Sequence, residues 1–267
     1  SPDVDKITLT GGTETGKAIL RSIGSSHIKK ITFELGGKSP NIFFADADLD
    51  AATDGALFGV FINQGEVCTA GSRVLVQQDI FKKFLDRMKE KTKRIKLGDP
   101  LKRDTKMGPL VSKEHQQKVL SYIDVGRKEA RLVMGGGQPK GKGYFVEPTI
   151  FETDNTTRIA KEEIFGPVVA CIPFKDEADA IKIANDTPYG LSAALWSRDI
   201  FKCLRVVKAL RAGIVWVNTM QPCYVESPWG GYKQSGQGRE MGTHGIEEFL
   251  ETKQVHINLN EAPIGWY

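Results

Sequence analysis

Only four cysteines occur in the 267-residue chain, at positions 68, 171, 203 and 223, and no two of them form a CxxC pair. Four thiols cannot staple a chain of this length, so a disulfide scaffold is excluded and reduced cysteines in a cytoplasmic setting are expected. The four histidines, His27, His115, His244 and His256, are scattered without an HExxH or Cys/His ligand spacing, so no metal centre is expected. No apolar run reaches the roughly 18 residues of a membrane helix, no signal-peptide pattern opens the sequence, and no membrane contact is expected. An excess of one charge is also missing. The 37 Lys and Arg against 33 Asp and Glu leave +4, and the longest basic stretch, 89–96, is broken by Glu90 and Thr92. That balance is too mild for nucleic-acid binding. The chain begins Ser1-Pro2-Asp3, without an initiator Met and at the edge of a strand, which reads as a fragment or processed product.

With 40% apolar and 26% charged residues, the composition is that of a globular chain. Strand-like and helix-like segments alternate, which predicts an α/β fold with a largely parallel sheet. Strands are expected at 4–10, 28–35, 41–44, 73–77, 131–134, 168–174, 191–196 and 213–218. Helices are expected at 17–23, from Leu49 (capped by Asp48) to about Asn63, from Ile80 to Ile95, and at 112–130, 176–185, 199–211 and 239–250. A final strand is expected at Glu251–Leu259, suited to pairing with a partner's edge.

Three segments carry chemistry. The turn Gly11-Gly12-Thr13-Glu14-Thr15-Gly16-Lys17 joins a strand to a helix, where free N–H groups and the helix dipole favour a phosphate. It resembles half of a P-loop, but Ala18 supplies no hydroxyl for Mg²⁺ and Glu14 adds negative charge, so nucleotide hydrolysis is not expected. Cys68 lies among small residues in Asn63-Gln64-Gly65-Glu66-Val67-Cys68-Thr69-Ala70-Gly71-Ser72-Arg73, where a ligand can approach a nucleophilic thiol. The alternative is a small buried hydrophobe, the reading given to Cys171 and Cys203. Glu34, at the end of an apolar strand before Gly36 and Gly37, would have its pKa raised by burial and suit a general base. Its alternative is a strand-end acid paired with Lys38 or solvent.

The combination Phe33-Glu34-Leu35-Gly36-Gly37-Lys38-Ser39-Pro40, the Cys68 segment, Glu162-Glu163-Ile164-Phe165-Gly166-Pro167-Val168 and Pro228-Trp229-Gly230-Gly231-Tyr232-Lys233-Gln234-Ser235-Gly236 resembles the aldehyde dehydrogenase superfamily. The resemblance implies that Cys68 attacks the aldehyde, that Glu34 activates water against the thioester, and that NAD or NADP accepts the hydride. It assigns Glu163 to the nicotinamide ribose hydroxyls, Phe165 to the side of that ribose, the Leu35 carbonyl to the nicotinamide amide, and Gly11 and Gly12 to the turn beneath the pyrophosphate. Gly12 stands where the family often has Ser, so backbone donation would have to serve there.

The same resemblance implies an aldehyde dehydrogenase-like fold in three parts. Residues 1–36 would be the C-terminal remainder of a Rossmann-like dinucleotide-binding domain, 37–236 the catalytic domain, and 237–267 a C-terminal helix and oligomerisation strand. It implies a homodimer or homotetramer through Glu251–Leu259, and a chain that lacks the family's N-terminal half. The stretch 217–229 and the ending Pro263-Ile264-Gly265-Trp266-Tyr267 resemble the betaine aldehyde and aminoaldehyde branch. Trp229 offers an indole face to a cationic aldehyde, while Ile214 stands where a bulky residue crowds a trimethylammonium group in plant members. A cofactor-independent cysteine hydrolase and a non-catalytic assembly fragment are the rival readings.

Overall fold

A computed structural model describes residues 1–25 and 27–266. Tyr267, the last residue of the branch-like ending, lies outside them, as does Ser26 within the expected 1–36 unit. The first elements are β1 (Lys6–Thr10), α1 (Thr13–Gly24), β2 (Lys30–Glu34), β3 (Pro40–Phe43), α2 (Leu49–Phe61), β4 (Arg73–Gln77) and α3 (Phe81–Thr92). There follow α4 (Lys113–Glu129), β5 (Arg131–Met134), β6 (Thr149–Glu152), α5 (Arg158–Lys161), β7 (Val168–Phe174) and α6 (Glu177–Asn185). The last are β8 (Tyr189–Gly190), β9 (Ser192–Trp196), α7 (Ile200–Ala209), β10 (Ile214–Val217), β11 (Tyr232–Lys233), β12 (Gly236–Gln237) and α8 (Gly242–Glu247).

The α/β expectation holds. A seven-stranded sheet runs β10-β9-β3-β4-β7-β6-β5, parallel throughout except for the edge pair β5 and β6. Its central strands read as unbroken apolar runs because both faces are covered. Ala52, Ala56, Val60, Phe84 and Met88 of α2 and α3 close one face over Phe43, Val74 and Val76. Ala180, Ala184, Cys203 and Val206 of α6 and α7 close the other over Ile42 and Leu75. Cys171 and Cys203 are buried as expected. A smaller sheet, β1-β2-β12, stands apart, with β1 and β2 parallel and β12 returning antiparallel to β2 from more than 200 residues downstream.

Several boundaries differ from expectation. The Asp48 cap is real, its carboxylate accepting from the N–H groups of Asp50 and Ala51 at 3.0 Å. The helix it starts ends at Phe61, however, because Asn63 and Gln64 turn into the left-handed region at φ 50° and 48°. Beta-strand β6 was not anticipated, because its pattern is short and follows a Gly-rich loop. The helix expected at 239–250 is only α8, and Met241 before it is left-handed at φ 61°. The strand expected at Glu251–Leu259 does not form. The segment pairs with no strand edge among the described residues, and Val255, Ile257 and Leu259 remain exposed.

Arg73, at the start of β4, is fully buried and ties three parts of the fold together. Its guanidinium donates to the carbonyls of Lys38 (2.9 Å), Ile183 (2.9 Å) and Ala184 (2.8 Å) and to Oδ1 of Asn155 (3.2 Å). Burial brings its pKa down to about 10, which still leaves it charged at neutral pH. Arg73→Met removes every donor and strands three buried carbonyls, so we expect a loss of about 3–5 kcal/mol. Urea unfolding measures it; a loss below 1 kcal/mol would mean that the carbonyls find other partners.

Candidate active site

The carboxyl ends of β1 and β2 in the small sheet face the loop that enters β4 of the large sheet. Between them lies a cavity of about 630 Å³ lined by Thr10, Gly11, Gly12, Glu34, Leu35, Gly36, Asn63, Glu66, Val67, Cys68, His115, Lys118, Glu163 and Phe165. Seven of the nine residues singled out from sequence thus meet in one space: Gly11, Gly12, Glu34, Leu35, Cys68, Glu163 and Phe165.

Glu34 ends β2 and is 5% exposed. Its register partner is Thr10, and its carbonyl accepts from Gly11 N at 2.9 Å, which joins the acid to the glycine turn. It does not pair with Lys38: Oε2 of Glu34 and Nζ of Lys38 are both buried without a hydrogen-bond partner among the described residues. Burial, helped by the nearby Glu240 carboxylate and opposed by Arg239, pushes its pKa up to about 7. Burial also brings Lys38 down to about 7.

Cys68 is half-buried in a loop held from several sides. Thr69 Oγ1 donates to Gln221 Oε1 at 2.7 Å, Gln221 Nε2 returns a bond to Thr69 O at 3.2 Å, and Gly71 N reaches Gly59 O at 3.0 Å. Gly36 and Gly37 are required by close approach. A Cβ on Gly37 would stand 2.3 Å from the Cys68 carbonyl oxygen, and one on Gly36 would stand 2.3 Å from Glu163 Oε2. Glu163 accepts from Gly37 N at 3.0 Å, which holds its carboxyl at the cavity wall. Burial, Glu163 and Glu34 together push the Cys68 thiol up to about 11, against the pull of the Thr69 and Cys68 N–H groups. Of the two ways to stabilise a thiolate, backbone donors or a nearby cation, only the backbone N–H groups of Thr69 and Cys68 lower its pKa.

Gly12 caps α1 in an extended conformation and makes no side-chain bond, so the first-turn N–H groups of that helix are left for a ligand. Trp229 and Ile214 do not line this cavity. Both pack on the apolar cluster behind it, the Trp229 ring 6.3 Å from that of Trp216. Trp229 exchanges two 2.7 Å backbone bonds with Glu240, and a Cβ on its neighbour Gly230 would stand 2.9 Å from Glu34 Oε1. Sequence reasoning passed over His115, Lys118 and Glu66. A lone histidine and lysine on the first turns of α4 carry no local signal, and only the packing of α4 against the Cys68 loop reveals them.

No group of His, Cys, Asp and Glu among the described residues is arranged to hold a metal ion, and no helix among them is long and apolar enough to cross a membrane.

A half-buried thiol, a buried carboxyl and the N-terminus of a helix share one cavity. Residues 1–255 match the model of the aldehyde dehydrogenase family, and the chain belongs to that family. It is 50% identical to a betaine aldehyde dehydrogenase of Bacillus subtilis, over 99% of this chain and 55% of that protein. It is 49% identical to aldehyde dehydrogenase 1A1 of Gallus gallus, over 96% and 51%. The crystal structure of a Staphylococcus aureus betaine aldehyde dehydrogenase in complex with NAD⁺ is 46% identical and superposes with a TM-score of 0.96 over 99% of this chain and 54% of that one. The chain spans about half the length of the curated relatives it matches.

Proposed function

We propose that the protein oxidises an aldehyde to its carboxylic acid with NAD⁺ or NADP⁺, through a thiohemiacetal and a thioester on Cys68. The observation that carries this reading is the single cavity shared by Cys68, Glu34 and the uncapped start of α1. The residues present fit a dinucleotide. The α1 N–H groups after Gly12 suit the pyrophosphate, the Glu163 carboxylate suits ribose hydroxyls beside Phe165, and the Leu35 carbonyl suits the carboxamide. NAD⁺ or NADP⁺, when bound, takes up the hydride.

Cys68 adds to the carbonyl carbon as its proton passes to a base, and the Cys68 N–H is a donor for the oxyanion. Loss of hydride from that oxyanion, the thiol proton having already passed to the base, leaves a thioester on Sγ. Glu34 then takes a proton from water; the hydroxyl adds to the acyl carbon, the C–S bond breaks, and the acid leaves as Sγ regains a proton. We assign residues 1–36 to the dinucleotide-binding part, 37–236 to the catalytic part and 237–267 to assembly. The exposed alternation Val255, Ile257, Leu259 supports a homodimer or homotetramer in which Glu251–Leu259 adds to a partner's sheet. The four free cysteines support work in the reducing cytoplasm.

For the substrate we propose a betaine aldehyde or ω-aminoaldehyde, supported by the Trp216–Trp229 pair behind the cavity and by Gly230, next to Trp229, which closely approaches Glu34. The deciding experiment follows dinucleotide reduction with betaine aldehyde, an ω-aminoaldehyde and a neutral aldehyde of equal length. It uses both the 267-residue chain and the longest natural polypeptide that contains it. Reduction by at least one of these supports the proposal; no reduction by either folded protein, with ester hydrolysis persisting after dinucleotide removal, would leave the hydrolase reading. Trp229→Ala is expected to raise KM for the cationic aldehyde by roughly 2–30-fold relative to the neutral one, the equivalent of a cation–π contact of about 0.5–2 kcal/mol. Equal changes for both aldehydes would reduce Trp229 to an apolar wall.

A further inference from the structure

His115 occupies the first turn of α4, where Ser112 Oγ caps its N–H at 3.2 Å. Its side chain touches two loops that bound the cavity on different sides. Nε2 lies 2.5 Å from the carbonyl oxygen of Phe165, and since a carbonyl only accepts, Nε2 must carry the proton. The same nitrogen is 3.5 Å from Oε1 of Glu66, and the imidazole meets the Phe165 ring edge-on at 5.9 Å.

Each contact falls on strained or tightly held backbone. Phe165 is left-handed at φ 60°, a conformation an aromatic residue adopts only when its surroundings impose it. Glu66 is the brace of the Cys68 loop: Oε1 accepts from Val111 N at 3.0 Å, Oε2 from Gln64 Nε2 at 2.9 Å, and its backbone closes on Asn63 through two 3.0 Å bonds. Gln64 and Asn63 are themselves left-handed. One half-buried imidazole therefore joins the strained wall residue Phe165 to the brace of the nucleophile loop, two residues before Cys68.

From this juxtaposition we infer that His115 is a positioning residue, which sets the Cys68 loop against the Phe165 wall and so couples dinucleotide binding to the placement of the thiol. The role of the wall in holding a dinucleotide rests on the function proposed above; the hold on the Cys68 loop does not. Without the imidazole, the Phe165 carbonyl loses its donor and Glu66 loses one of the neighbours that hold its carboxylate. Both loops then gain freedom together.

The test uses two variants and two readouts, with melting temperatures recorded for each. In His115→Ala, alkylation of Cys68 by iodoacetamide in the dinucleotide-free 267-residue chain is expected to rise at least fivefold as the loop opens. The Kd for NAD⁺, measured by calorimetry on the longest natural polypeptide containing the chain, is expected to rise at least tenfold. His115→Gln retains an N–H donor for Phe165 O and should bring both quantities to within twofold of wild type. A purely structural side chain would lower the melting temperature without this rescue. The inference is overturned if His115→Ala leaves alkylation unchanged, or if the glutamine variant is as impaired as the alanine one. Should the wild type itself bind no dinucleotide, the functional proposal fails while the alkylation comparison still decides the positioning role.

Discussion

Replacing Cys68 with alanine is expected to lower aldehyde oxidation by on the order of 10⁴-fold or more, because removing a covalent nucleophile deletes the intermediates and not merely a contact. Serine is expected to fare little better, since an alkoxide is harder to form and a poorer leaving group. The site makes the demand on Cys68 steep. With the thiol pushed up to about 11, Cys68 carries roughly 100-fold less thiolate near pH 7.5 than a thiol of ordinary pKa would. Alkylation of Cys68 without dinucleotide should therefore be slow at neutral pH and climb steadily to pH 10. Formation of NADH or NADPH in the alanine variant at more than 1% of the wild-type rate would remove Cys68 from the mechanism. Rapid alkylation at pH 7 would show that burial and the two carboxylates do not govern the thiol.

Glu34→Gln tests the second half of the reaction. The amide keeps the shape of the side chain but takes no proton from water, so hydrolysis of the thioester is expected to slow by about 10²–10⁴-fold. Acylation would proceed far enough to release one reduced dinucleotide per site in a burst, followed by a slow steady state. The wild-type rate should fall as pH drops through about 7, where Glu34 gains its proton, and the variant should lack that limb. Glu240→Gln, which removes the carboxylate that helps raise Glu34, should move the limb to lower pH. Stability gives an independent check of sign. A carboxyl whose folded pKa lies above its unfolded value favours the fold at low pH, and this contribution is lost as pH rises through about 7. The stability of Glu34→Gln relative to wild type should thus increase from pH 5 to pH 8. A burst in wild type equal to that of the variant, or a pH limb unchanged by the substitution, would assign the base elsewhere.

Much of this was legible in the sequence because it rests on local rules. Alternating apolar runs and amphipathic stretches set the α/β order, Asp48 announced its helix, and Gly36-Gly37 beside Glu34 and Cys68 among small residues marked where a ligand can approach. The glycines in particular speak for close packing: Gly37 admits the Cys68 carbonyl and Gly36 admits Glu163, contacts across 31 and 127 residues that no other residue type permits. The tail shows the limit of local rules. Val255, Ile257 and Leu259 have a strand's alternation, but a ladder needs a second edge, and among the described residues this segment pairs with none.

What the chain alone determined, then, was the kinds of groups available and the segments that carry them: a thiol, an acid, a glycine turn, the family motifs. The tertiary structure decided their environment. Burial raised the Glu34 carboxyl to about 7 and the Cys68 thiol to about 11, and among the described residues it left Lys38 Nζ without a hydrogen-bond partner although sequence places it four residues from Glu34. It also set Trp229 and Ile214 behind the cavity and brought His115 between Phe165 and Glu66. The physical reason is that identity and spacing are properties of the chain, whereas desolvation and through-space charge depend on which distant segments pack together, and only the fold brings those segments into contact.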